Sequence, residues 1–166
     1  ATNPSWSVAD LFSETGAYGI YLNDLDNDGD IDVIVGANDS IKWYENDGGA
    51  NPSFTRNTIT SSIDGAYEVF VEDLDNDGDL DVVSASSNDH KINWYENDGA
   101  VNPSFSTTVI ATSAQGATDV SLADMDNDGD IDIVSSSFQD DTIAWYENDG
   151  AANPTFSAAD IATSAD

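Results

Sequence analysis

The sequence predicts an all-β chain of three tandem four-stranded antiparallel blades of the propeller type. Three observations predict it. The chain repeats itself: "WYENDG" occurs at 43–48, 94–99 and 145–150, and aspartate-rich stretches begin at Asp24, Asp73 and Asp124. A period of about fifty residues belongs to repeat architectures. Each unit holds four short runs rich in β-branched and aromatic residues, parted by Gly, Asp, Asn and Pro turns, which is the content of one blade. No window carries the 3.6-residue apolar period of an amphipathic helix, so helices are expected to be nearly absent.

The elements follow in the same order in every unit. "AYGIYLND" (17–24), "AYEVFVED" (66–73) and "ATDVSLAD" (117–124) supply a first strand that runs into an aspartate loop. "IDVIVGA" (31–37), "LDVVSAS" (80–86) and "IDIVSSS" (131–137) supply the second, with the β-branched residues a pleated surface favours. "IKWYEN", "INWYEN" and "IAWYEN" supply the third, with Ile41, Trp43 and Glu45 alternating against Lys42, Tyr44 and Asn46. An Asp-Gly turn and Asn-Pro then lead to a fourth stretch near Ser53–Thr60, Ser104–Ala111 and Thr155–Ala162, with a further copy near Ser5–Leu11. Trp43, Trp94 and Trp145 recur at one position and are expected to fill the space between blades. Trp6, which replaces Phe54, Phe105 and Phe156, is expected in the core as well. Residues 1–166 read as a single repeat domain, with units of about 1–50, 51–101 and 102–152 and a terminal strand segment at 153–166.

Composition narrows the partners. Thirty-three acids stand against three basic residues, Lys42, Arg56 and Lys91, for a formal net charge of −30. Such a chain repels phosphates and anionic lipid, so no nucleic acid and no membrane insertion are expected, whereas cations are attracted. The chain has no cysteine, which removes disulfides, thiolate catalysis and thiolate metal ligation.

The aspartates sit where a cation needs them. In "DLDNDGDID" (24–32), carboxylates stand at positions one, three, five, seven and nine, with Gly29 at the sixth. The pattern returns at 73–81 and 124–132. Alternating acids followed by a glycine at a sharp turn let a short loop wrap an ion with oxygen ligands. A hard divalent cation of calcium's size accepts six to eight of them at loose geometry. A helix–loop–helix calcium site is excluded, because Val35, Ser84 and Ser135 occupy the twelfth position, where that motif needs a glutamate. Asp32, Asp81 and Asp132 must close these loops instead.

A D-x-D-x-D-G-x-x-D loop between two strands resembles the calcium hairpin of FG-GAP and VCBS repeats, as in integrin α-subunit propellers, and the resemblance spans essentially the whole chain. It implies blades with calcium-binding hairpin loops and three Ca2+ sites, one per repeat. The first would take side-chain ligands from Asp24, Asp26, Asp28 and Asp32, with the Asp30 carbonyl. The second would use Asp73, Asp75, Asp77 and Asp81 with the Asp79 carbonyl, and the third Asp124, Asp126, Asp128 and Asp132 with the Asp130 carbonyl. Three ions would bring the formal charge from −30 to −24.

No catalytic constellation is visible, so no enzyme is expected. His90 occurs in one unit only and reads as a solvated turn residue, without the partners that general-base chemistry requires. The expected role is a calcium-binding structural or adhesive module in an extracellular or cell-surface setting. The alternative is a calcium-dependent lectin holding a glycan. Three blades cannot close a ring, since propellers use about four to eight. Head-to-tail self-association or further propeller blades are therefore expected, with a glycan or surface protein as a further partner.

Overall fold

A computed structural model describes residues 12–164. Trp6 and the strand copy near Ser5–Leu11 lie outside the described residues. Twelve strands and no helix make up the described chain, and no helix long and apolar enough to cross a membrane occurs among those residues. Strands β1 (Ala17–Asn23), β2 (Asp32–Ala37), β3 (Ile41–Asn46) and β4 (Phe54–Thr60) form the first sheet in sequence order. The second holds β5 (Ala66–Glu72), β6 (Asp81–Ser86), β7 (Lys91–Asn97) and β8 (Phe105–Ala111). The third holds β9 (Ala117–Ala123), β10 (Asp132–Ser137), β11 (Thr142–Asn148) and β12 (Phe156–Ala162). Each is an antiparallel meander, and the stretch 153–166 contributes β12 as the outer strand of the third. The sheets are tandem blades that do not close on one another.

Register repeats with the sequence. Ile34 lies opposite Trp43, Val83 opposite Trp94, and Val134 opposite Trp145, a β-branched residue against an aromatic on the same face each time. The blades stack through their first strands, with β1 beside β5 and β5 beside β9. Between the first two lies an apolar layer that includes Leu25, Ile34, Trp43, Val69, Val71 and Tyr95. The next junction repeats it with Leu74, Val83, Trp94, Val120, Ile133 and Tyr146. Trp43 and Trp94 are each 3% exposed, as expected of residues between blades. Trp145 is only half-buried, because no blade follows it among the described residues.

The alternation in the third strand hides a double burial. Lys42 and Tyr44 face away from Ile41 and Trp43, yet all four are buried, although no blade covers that outer face among the described residues. The Lys42 ammonium donates to Thr58 Oγ1 at 3.1 Å. Phe12 stacks on Tyr44 with ring centroids 4.1 Å apart, and the Tyr44 hydroxyl donates to Glu14, which also pairs with Arg56.

His90 corrects its expected role. It takes a left-handed backbone conformation (φ 61°), its Nδ1 accepts the Gly116 N–H at 3.1 Å, and its carbonyl accepts the Ala114 N–H. It is half-buried and ties the turn after β6 to the link between β8 and β9.

Candidate metal centres

Each aspartate loop joins the first two strands of its blade, and its conformation follows from short-range chemistry. Asn27, Asn76 and Asn127 sit at φ 57°, 59° and 66°, in the left-handed region that asparagine tolerates better than most residues. Gly29, Gly78 and Gly129 follow at φ 98°, 98° and 101°, where a side chain is strained although nothing would touch a Cβ within 4 Å. The turn therefore folds the acids inward. Asp24 accepts the N–H groups of Asp28 (3.0 Å) and Gly29 (2.8 Å), Asp26 accepts Asp28 N–H at 3.3 Å, and Asp28 accepts Asp30 N–H at 2.9 Å. The second and third loops repeat this scheme.

The ninth-position acids anchor the loop to the blade. Asp32 is fully buried and accepts from Asn46 N–H at 2.9 Å and Leu25 N–H at 3.1 Å. Asp81 and Asp132 do the same with Asn97 and Leu74, and with Asn148 and Met125. The buried indole N–H groups of Trp43 and Trp94 have no hydrogen-bond partner, yet they lie close enough to Asp32 and Asp81 to favour their charged forms. Trp43 and Trp94 thus border the loops as well as filling the core, a placement their recurrence in "WYEN" did not reveal.

Three acidic groups result. Asp24, Asp26 and Asp32 bring carboxylate oxygens within 4.8 Å of one another, as do Asp73, Asp75 and Asp81, and Asp124, Asp126 and Asp128. The first two groups do not include Asp28 or Asp77, and the third does not include Asp132. The Asp79 and Asp130 carboxylates turn out of their loops, accepting from Asn27 Nδ2 (3.2 Å) and Asn76 Nδ2 (3.0 Å) of the preceding blade. Asp30 turns the same way, toward Gly48, where an added Cβ would lie 1.9 Å from its oxygen. The seventh residue therefore has only its carbonyl left to offer an ion.

Burial and neighbouring carboxylates oppose the charged forms of these acids. Burial pushes Asp26 up to about 6, with Asp28 and Asp32 adding to the effect. Asp81 is pushed up to about 7, again by burial first, against the opposing Asn97 N–H, Trp94 and Leu74 N–H. All donors are oxygen and neither thiol nor imidazole is at hand, so the residues fit a hard cation and not a soft one.

The FG-GAP-like repeat profile matches residues 24–84 and 73–135. The chain belongs to the FG-GAP-like repeat family. Each match starts at an aspartate loop and ends in the second strand of the following blade, so the FG-GAP unit straddles a blade junction. No curated protein matches the chain.

Proposed function

We propose that this FG-GAP-like chain is a calcium-loaded structural module of an extracellular or cell-surface assembly, and that it works by adhesion or scaffolding without catalysis. The observation that carries the reading is an all-oxygen acidic cluster formed in each of the three loops, braced each time by backbone N–H groups. Like charges so close stay together at neutral pH when a dication lies among them. Calcium fits better than magnesium, which demands tight octahedral geometry and gives up its water reluctantly. At free calcium about 100-fold above the dissociation constant, each site would add roughly 2.7 kcal/mol to stability, large beside a typical total of about 5–15. Calcium at that level suits an extracellular setting.

Calorimetric titration of the metal-free chain tests this. Calcium should bind with a stoichiometry near three and raise the melting temperature well above that reached with equal magnesium. Absence of calcium binding, or equal stabilisation by both ions, would reject the assignment.

A further inference from the structure

We propose that neighbouring metal centres load calcium cooperatively, and that Asn97 and Asn148 are positioning residues shared by two centres each. The inference rests on the calcium reading above and says how its three sites act on one another. One chain of hydrogen bonds, running through all three centres, carries it. Asp32, which closes the first loop, accepts the Leu25 N–H at 3.1 Å. The Leu25 carbonyl, in the chain between Asp24 and Asp26, accepts from Asn97 Nδ2 of the next blade at 3.2 Å. The Asn97 backbone N–H donates at 2.8 Å to Asp81, which closes the second loop. From there the path repeats. Asp81 accepts the Leu74 N–H at 3.2 Å, the Leu74 carbonyl accepts from Asn148 Nδ2 at 2.9 Å, and the Asn148 N–H donates to Asp132 at 2.8 Å.

Each asparagine is also fastened to its own blade. Asn97 Nδ2 reaches the Leu80 carbonyl and its Oδ1 accepts the Gly99 N–H, both at 3.0 Å. Asn148 does the same with Ile131 and Gly150. The three closing acids, the two leucines and the two asparagines are at most 3% exposed, so water cannot stand in for a partner drawn out of line. A second latch lies at the surface. Asn27 and Asn76, whose left-handed turns at φ 57° and 59° fold their loops, donate to Asp79 (3.2 Å) and Asp130 (3.0 Å) of the following loop. Asp79 and Asp130 thus offer a carbonyl to their own ion and a carboxylate to the loop before.

An ion in the second loop fixes Asp81 and Asp79 about itself. Asn97 and the Asp79 carboxylate are then held where they meet Leu25 and Asn27, in the stretch that carries Asp24, Asp26 and Asp28. Part of the ordering of the first loop is complete before its own ion arrives, which is positive cooperativity. Linkage makes the effect mutual. Both latches join adjacent loops, so the first and third centres influence each other through the second.

The test is a calcium titration of the full chain followed by NMR. The Gly29, Gly78 and Gly129 amides read the centres separately, because each donates to the first aspartate of its own loop. Emptying the second centre with D75A should weaken calcium at the first and third at least about fivefold. In an N97A background, D75A should leave the first centre unchanged and still weaken the third. First and third centres that ignore D75A overturn the cooperativity. A D75A effect on the first centre that is equally large with and without Asn97 overturns its role, since a mere brace between blades gives additive effects. If N97A does not fold, N27A, at an exposed position, cuts the surface latch and should at least halve the D75A effect on the first centre; an undiminished effect counts against the proposal. Three independent calcium sites would sink the coupling and leave the calcium reading standing, whereas a chain that binds no calcium sinks both.

Discussion

Asp26 shows what a single carboxylate does in these loops. Burial and its neighbours Asp28 and Asp32 oppose its charge, so Asp26→Asn should act in opposite directions with and without metal. In chelator the variant should melt higher than the parent chain. In calcium it should melt lower and bind at least about tenfold more weakly at that site, given the strength of a charge contact at this range. Differential scanning calorimetry under both conditions checks the reversal. Glu68 offers a case away from the loops. Burial raises its pKa, and Asp119 on the adjacent first strand raises it further. An acid raised in the fold weakens the fold while charged, so the penalty is present at neutral pH and fades as pH falls through the folded value. Glu68→Gln should therefore raise stability at pH 7, by less than about 1 kcal/mol for a partly exposed pair, and the gain should vanish in acid. A gain that persists in acid would contradict this account.

At the scale of elements, the strands were legible because β-branched runs end at Asp-Gly and Asn-Pro turns, and the loops because five carboxylates at period two have few other uses. Burial was less legible. Tyr44 is buried on the face away from Trp43, where Phe12 and Glu14 reach it from outside the strand, which no local pattern in one strand reveals. The latches of Asn27 and Asn97 were hidden for another reason: their partners lie 52 and 72 residues away. His90 likewise has its partners, Ala114 and Gly116, in the link that leads to the next blade. The same dependence on neighbours ranks the loops. Leu25 and Leu74 are sealed by a following blade, whereas Met125 is 46% exposed and Asp124, Asp126 and Asp128 are all exposed. The third loop should hold calcium most weakly. Asp126→Ala should then remove the weakest phase of a calcium titration and Asp75→Ala a tight one.

Across the whole molecule, charge and packing pull against each other. A net charge of −30 makes the compact state repel itself, while the apolar junctions hold the blades together. Without metal, added salt should screen that repulsion and raise the melting temperature, and the effect should shrink once calcium is bound. A salt response of equal size in both forms would mean that the loops are not where the repulsion resides. Because each junction involves only adjacent blades, stability is close to a sum of blade and junction contributions. Asn148→Ala removes a bond to the Leu74 carbonyl and should weaken the second metal centre, although Asn148 lies in the third blade.

The sameness of the two junctions also bears on how such a gene can change. Trp43, Trp94 and Trp145 stand 51 residues apart, and what one copy offers its successor is what it received from its predecessor. Gaining or losing one copy would therefore create no new kind of contact: the flanking copies would meet through the same residue types. A chain with one copy more or fewer would therefore keep the same join at every internal loop.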